Sequence, residues 1–451
     1  MSELFYLNNL LAEIAFKSDG EIETIGLDVL LLSVSMIFLV SKIGAEICAR
    51  LKLPSVLGGL IAGVVIGVSG AHLLVFTAGD STYLPEIWQG FLHNFYRLNQ
   101  TDALKVFYFN EQVISLLSDV GVILLLFEVG LESNLVELLG VGTQALLVAI
   151  VGVAVPFALG SLGLIYGFSM PLIPSVFAGA ALTATSIGIT AKVLGDMDQL
   201  RTKEGQIIIG AAVIDDILGI VILAVVASLI KTGQVKLNSI IYLLIIAVIF
   251  LVAAILIGRI FSRFIVSLVN KMQTRGQLLI PALVFAFLLA YVAHRVGLET
   301  IIGSFAAGLV LAETEKGEEL KMLVAPVVDL IVPIFFVCVG AKTDLGAINF
   351  NDRHGLSVAF FLILVAIIGK LSTSLSLWNT DLNKLAVGVG MIPRGEVGLV
   401  FASIGAANDS VPDSIIAAII MMIILTTFIT PSWLSLVLKK NTTESTVLKP
   451  R

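Results

Sequence analysis

The sequence predicts an all-α polytopic membrane protein with about thirteen transmembrane helices. Three observations carry that expectation. Hydrophobic residues make up 58% of the chain and charged ones 13%, about half the charged share of a soluble domain, and mean hydropathy is +1.04. Apolar runs of roughly 18 or more residues recur from Ile25 to Leu438, each long enough to cross about 30 Å of hydrocarbon. Two short patterns also recur in the same order, seven spans apart. Helices are required because lipid offers backbone polar groups no partners.

In chain order the spans fall at 25–47, 54–75, 112–132, 141–167, 173–194, 205–231, 238–268, 277–295, 298–312, 322–341, 355–377, 383–406 and 411–437. The one long loop, 76–111, holds Trp88, Phe91, Phe95, Tyr96, Phe107 and Tyr108 and predicts a short amphipathic element on the membrane surface. Residues 1–24 carry Glu3, Glu13, Asp19 and Glu21 without a basic start, unlike a cleavable signal peptide. About a dozen residues follow Leu438, too few for a soluble regulatory domain. Loops after odd-numbered spans hold Arg50, Lys52, Arg201, Lys203, Arg259, Arg263, Lys271, Arg275, Lys316, Lys321, Lys439 and Lys440. Those after even-numbered spans hold Arg97, Lys105, Lys231, Lys236 and Arg353. The excess on the odd side places the amino terminus outside, or in a lumen, and the carboxyl terminus in the cytoplasm.

Several classes of function are disfavoured. No Lys/Arg-rich block suggests a nucleic-acid partner. Cys48 and Cys338 both sit in apolar spans, which argues against a disulfide framework or a zinc site. His72, His93, His294 and His354 fall near the outer face and read as solvated residues. No cofactor is expected. A Gly-x-Ser-x-Gly elbow beside a buried histidine, or a His/Glu metal motif within a span, would suggest an intramembrane enzyme, and neither occurs.

The internal repeats define the organisation. Residues 57–65, Leu-Gly-Gly-Leu-Ile-Ala-Gly-Val-Val, resemble 302–310, Ile-Gly-Ser-Phe-Ala-Ala-Gly-Leu-Val. Residues 129–135, Val-Gly-Leu-Glu-Ser-Asn-Leu, resemble 339–345, Val-Gly-Ala-Lys-Thr-Asp-Leu, and in that register Asp119 falls on Asp329. An odd offset reverses orientation. Spans 1–6 and 8–13 therefore read as two inverted six-helix repeats joined by span 7, the organisation of secondary transporters, whose site lies near the midplane.

Charges inside spans mark pathways. Asp215 and Asp216 stand mid-span in an apolar stretch from Ile207 to Ile220. Adjacent helix positions point about 100° apart, so one carboxylate can meet a protein cation while the other faces a water-filled cavity. Lys370, the only Lys or Arg in the interior of span 11, is the candidate cation. Two stretches read as broken helices: Ala180–Thr190 in span 5, rich in hydroxyls, and Gly388–Gly398 in span 12, which holds Pro393, Arg394 and Glu396. Arg394 and Glu396 are candidate counter-charges for the half-helix ends. Asp119, Glu128 and Asp329 are candidates for a cation path or for the boundary between the halves.

At these residues the chain resembles the monovalent cation/proton antiporters of the second superfamily branch, the NapA-like and Kef-like group. The motifs that carry the resemblance are Leu125-Leu126-Phe127-Glu128-Val129-Gly130-Leu131-Glu132, Ala184-Thr185-Ser186-Ile187-Gly188, Asp215-Asp216, Gly369-Lys370 and Arg394-Gly395-Glu396. The glutamate-containing form around Phe127 resembles cyanobacterial and plastid members, which implies a bacterial inner membrane or a thylakoid membrane as host. The resemblance implies a fold with crossed broken helices and a homodimer. It places a dimerisation domain at 25–132 and 277–341, a mobile core at 141–231 and 355–437, a linker helix at 238–268, and a cytoplasmic tail at 438–451. It further implies that Asp216 is the principal sodium carboxylate, that Asp215 pairs with Lys370, and that Thr185 and Ser186 neighbour the ion. Potassium-exporting Kef-like members have Gln-Asp where this chain has Asp215-Asp216, and they carry a cytosolic nucleotide-binding domain. Both departures favour sodium or lithium over potassium.

The expected function is electrogenic sodium/proton exchange by alternating access of elevator type, serving sodium and pH homeostasis. Asp216 would bind either a partly dehydrated sodium ion or a proton. Either ligand neutralises the site, and a neutral core moves more cheaply than a charged one. A potassium/proton antiporter of the same superfamily is the second reading. A cation channel is the third, and the inverted repeats argue against it.

Overall fold

The computed structural model describes residues 19–76, 84–232, 237–269, 277–344, 346, 352–378, 382–394, 398, 401 and 411–447. Regular structure among them is helical throughout. The helices are α1 Asp19–Arg50, α2 Ser55–Ile66, α3 Glu86–Tyr96, α4 Gln100–Glu132, α5 Leu135–Gly140, α6 Gly142–Leu162, α7 Leu172–Ala181, α8 Ile187–Asp196, α9 Lys203–Thr232, α10 Leu237–Val269, α11 Leu279–Arg295, α12 Thr300–Ala312, α13 Gly317–Ala341, α14 Arg353–Leu371, α15 Lys384–Gly390 and α16 Asp413–Val447. A π-helical turn, Gly163–Gly167, continues α6, and a 3-10 turn, Ser372–Ser376, continues α14. Eight stretches are long and apolar enough to cross a membrane by length and composition: 22–50, 100–132, 142–167, 203–226, 240–258, 317–341, 353–376 and 414–439. The shorter apolar helices α2, α7, α11 and α12 lie among them.

Every predicted span contains helix, with three shifts of boundary. Helix α4 starts at Gln100 rather than 112, because Asn99 caps it by accepting from the Asp102 amide at 2.8 Å. The predicted surface element shrinks to α3. Its Trp88 is buried against Phe91 and Phe107 and donates Nε1 to the Leu73 carbonyl at 3.0 Å. Helix α2 stops at Ile66, where the chain folds back and the Leu73 and Leu74 amides both reach the Ile66 carbonyl. At the other end of the chain, α16 runs past the apolar stretch to Val447.

The helices pack in two sets. In the first, α4 lies against α12 and α13, α2 against α1 and α13, and α11 against α12. In the second, α6 lies against α7, α9 and α14, and α14 against α16. Helix α10 touches α12 of the first set and α9 of the second.

Glycines show how the repeats fit together. A Cβ on Gly63 would lie 2.2 Å from the Val337 carbonyl oxygen, and one on Gly340 2.1 Å from that of Leu60. In the repeat register, Gly63, Leu60, Val337 and Gly340 correspond to Gly308, Phe305, Phe127 and Gly130. The same contacts recur there: Gly308 on the Phe127 carbonyl at 2.2 Å and Gly130 on that of Phe305 at 2.4 Å. Gly58 against Gly44 of α1 is likewise matched by Gly303 against Leu289 and Ala290 of α11. Each repeat's second helix thus lies on the third helix of the other repeat. Only glycine permits backbones so close.

Candidate functional site at two crossed helix breaks

Helix α7 ends at Ala181 and α8 begins at Ile187. Between them, hydroxyl side chains compete with the helix ladder, as when Thr183 Oγ1 donates to the Ala180 carbonyl at 2.7 Å. The second break follows Gly390. There Pro393 lacks an amide donor and pushes Ile392 out of helical geometry, and helical backbone resumes by Gly398 and Phe401.

The two breaks satisfy one another. The Ser186 amide donates to the Pro393 carbonyl at 2.8 Å. Thr185 Oγ1 donates to the Met391 carbonyl at 3.2 Å and Thr190 Oγ1 to that of Gly390 at 2.7 Å. Arg394 Nη1 donates to the Ala184 carbonyl, while Thr427 of α16 donates to the Arg394 carbonyl. Backbone groups released at depth therefore have partners, the condition for unwound chain inside a membrane protein.

Helix α9 packs against α7, α8 and α15, the arms of the two breaks, and its Asp215 and Asp216 are buried, as are Lys370 and Arg394. Lys370 Nζ stands 2.9 Å from Asp215 Oδ2, with both side chains wholly buried. Gly152 of α6 leaves room for the ammonium, since a Cβ there would lie 3.3 Å from Lys370 Nζ. Gly369 packs its backbone on Pro156 of the same helix. Asp216, the next residue on α9, is 3% exposed. Two buried cations, Lys370 and Arg394, and two carboxylates, Asp215 and Asp216, balance in formal charge. Balance limits the cost of holding charge in a medium of low dielectric.

The sequence-predicted residues divide between the two helix sets. Asp215, Asp216, Thr185, Ser186, Lys370 and Arg394 belong to the second set and its breaks. Asp119 and Glu128 sit on α4 and Asp329 on α13, in the first set; Glu128 is half-buried and the other two are exposed. Glu396 lies outside the described residues. The four histidines are dispersed over α3, α11, α14 and the turn after α2, and the described residues hold no group of His, Cys, Asp and Glu able to bind a metal. Gly152 and Thr427 escaped sequence reasoning, and Thr190 was read only as part of the hydroxyl-rich break, without its bond to Gly390. A mid-span glycine or threonine signals only close packing, not which neighbour it serves.

The hydroxyls differ in what they do. Ser186 Oγ has no hydrogen-bond partner among the described residues, whereas Thr185 already ties the breaks together. Ser186→Ala is expected to raise the half-saturating cation concentration about five- to tenfold with little change in maximal rate, the loss of one oxygen partner. Thr185→Ala should lower both affinity and rate. Initial rates of cation-driven proton movement in proteoliposomes check this; a Ser186→Ala variant with wild-type affinity removes that hydroxyl from the site.

Crossed broken helices with balanced charges at their crossing, built from inverted repeats, define an ion-coupled secondary transporter. Comparison with known proteins gives the family. The transmembrane sodium/hydrogen exchanger family model matches residues 35–440, and the chain belongs to that family. It is 53% identical to the high-affinity Na(+)/H(+) antiporter NhaS3 of a Synechocystis strain over 440 residues, 97% of this chain and 95% of that one. It is 31% identical to the Na(+)/H(+)-K(+) antiporter GerN of Bacillus cereus, covering 89% of this chain and 94% of the relative. The fold matches the sodium proton antiporter MjNhaP1 of Methanocaldococcus jannaschii with a TM-score of 0.68 at 18% identity, covering 95% and 99% of the two chains.

Proposed function

We propose that the protein exchanges sodium, and lithium, for protons across its host membrane. The observation that carries this reading is the wholly buried Lys370–Asp215 pair next to Asp216 at the crossing of two broken helices. Asp215 is engaged by Lys370, and the family resemblance assigns the transported ion to the neighbouring carboxylate, Asp216. A hard cation prefers oxygen ligands, and Ser186, the carbonyls of the two breaks and water supply them. One carboxylate that accepts either a cation or a proton couples their movements in opposite directions. If the Lys370–Asp215 pair opens and closes with the cycle, a further proton moves per turnover and exchange is electrogenic. The resemblance to NhaS3 supports sodium. The similarity to GerN, an Na(+)/H(+)-K(+) antiporter, keeps potassium/proton exchange as the second reading.

In this account the second helix set moves as a body past the first, and the first set forms the contact of a homodimer. The host is a bacterial inner membrane or a thylakoid membrane, where exchange would serve sodium and pH homeostasis. Lys/Arg placement puts the amino terminus outside or in the lumen. A cysteine replacing Phe95 on α3 should then react with an impermeant thiol reagent from outside, and one replacing Val136 on α5 only from the cytoplasm. Both positions are well exposed. The opposite pattern would invert the topology.

Proteoliposomes with an imposed pH gradient test the exchange itself. Added sodium or lithium should collapse the gradient, and equal potassium should not. Collapse by potassium alone would select the second reading, and sodium uptake without proton movement would make the protein a channel.

A further inference from the structure

A second charge cluster spans the boundary between the helix sets. One face of α8 carries Gly188, Lys192 and Gly195, one turn apart. A Cβ on Gly188 would meet Val122 and Leu125 of α4 and Phe335 of α13 at 3.5 to 3.7 Å, and one on Gly195 would lie 3.9 Å from Glu132 Oε2 of α4. This face of the second set therefore lies directly on the first, and Lys192 and Asp196 are the charges it carries.

Lys192 Nζ pairs with Asp196 Oδ1 at 3.2 Å on its own helix. The second oxygen of Asp196 accepts from Ser55 Oγ at the start of α2, at 2.7 Å. Across the boundary, Glu128 of α4 and Asp329 of α13 lie within electrostatic reach of Lys192 but beyond ion-pair distance. Lys192 and Asp329 also line one cavity of about 510 Å³, together with Ser41, Lys42, Ser55 and Phe336. Further ties join the sets at the same end. Arg201, in the turn before α9, donates to Glu318 Oε1 of α13 at 2.7 Å and to the Glu132 carbonyl at 3.1 Å. Lys439 of α16 donates to the Lys52 carbonyl at 3.3 Å.

We propose that Lys192 is a positioning residue of the transport cycle: it holds α8 against the carboxylates of α4 and α13 in the conformation seen here and leaves them when α8 moves. The proposal rests on the exchange reading above. Movement of α8 along α4 and α13 must carry Lys192 away from Glu128 and Asp329, and Asp196 away from Ser55. Lys192 and Glu128 are half-buried and so screened less than surface charges, and their separation weighs on the balance between the two end states. Glycine on either side of Lys192 leaves the rest of the sliding face smooth. The cluster sets how readily the boundary opens, whereas Asp216 sets what is carried.

Two experiments on the full-length protein in proteoliposomes decide it. In the first, apparent sodium affinities are measured from each side of oriented vesicles. Lys192→Gln should change the ratio of the two affinities roughly tenfold, the effect of losing a little over 1 kcal/mol from one end state. Lys192→Arg should restore the ratio, and Glu128→Gln added to Lys192→Gln should cause little further change. A ratio within twofold of wild type in Lys192→Gln, or no restoration by arginine, overturns the proposal. In the second, Cys48 and Cys338 are replaced and Ser55→Cys is combined with Asp196→Cys. Bridging these two positions with a short bifunctional thiol reagent should stop exchange, while sodium still raises the melting temperature. Undiminished exchange by the bridged protein means the α2–α8 boundary does not move and overturns the proposal. Wild-type protein that fails to exchange sodium for protons would instead refute the exchange reading.

Discussion

Asp216→Asn is expected to abolish cation-driven proton movement, a fall of at least about a hundredfold, to the rate of empty liposomes. The reasoning is electrostatic. An amide has no charge to set against a dehydrated sodium ion and no proton to exchange for it, and an uncompensated cation in this core is costly. The buried charges would then be Lys370 and Arg394 against Asp215 alone, so the variant holds a net positive region that repels cations further. Folding should survive, because an amide fills nearly the same volume and hydrogen-bonds within the site. Monodisperse elution and a cooperative melt check that. Asp216→Glu keeps the charge while displacing it by one methylene, and should retain partial exchange. Robust exchange by a well-folded Asp216→Asn protein would remove Asp216 from the ion site.

The second large effect falls on stability. Lys370 and Asp215 meet at 2.9 Å with no exposure to solvent. Removing one partner of a buried pair leaves the other uncompensated, typically at about 3–5 kcal/mol, whereas removing both can be nearly neutral. Lys370→Ala should therefore melt well below wild type, as should Asp215→Asn, and the double variant should recover much of the loss. A coupling of about 2 kcal/mol or more is expected from a contact of this kind. The double variant keeps Asp216 and should still exchange, moving less charge per cycle at a clamped potential. Strictly additive losses would mean the pair does not act as a pair, and the basis for electrogenic exchange would go with it.

Much of this site was legible in the sequence because a membrane makes ionisable residues conspicuous. Asp215, Asp216 and Lys370 stand out within long apolar runs, and Pro393 and the hydroxyl cluster at Thr183–Ser186 mark the breaks without reference to structure. The repeat register was legible for a similar reason. Gly63, Gly130, Gly308 and Gly340 stand at backbone contacts too close for any Cβ, so the pattern survives in both halves. What the sequence could not supply was azimuth and partnership. Two adjacent aspartates are alike by composition, and which one meets Lys370 depends on how α9 faces α14. The family resemblance suggested Asp215, whose Oδ2 lies 2.9 Å from Lys370 Nζ. Gly152 was invisible as a pocket for the ammonium because its neighbour lies more than two hundred residues away. The long first part of α4 was missed because its polar residues dilute an apolar window. Asn110 is buried there and donates to Ser33 at 3.0 Å, and Phe107 packs on Trp88, contacts that only the folded set creates.

Lys192 shows the opposite limit. Its charge lies near the end of a short half-helix, where a lysine reads as an ordinary boundary residue. Only the packing of α8 on α4 and α13 reveals that it stands at the boundary between the two helix sets.

The central claim is that one carboxylate serves sodium and proton in turn. The measurement that tests it most directly is the apparent sodium affinity of the wild-type protein in proteoliposomes, at equal pH on both sides, across a series of pH values. Competition predicts that the half-saturating sodium concentration rises as pH falls, approaching about tenfold per pH unit once the site is mostly protonated. Saturating sodium should restore the maximal rate over the same range. A half-saturating concentration that does not change with pH, with only the maximal rate falling, would contradict the account and place the proton on a different group from the cation.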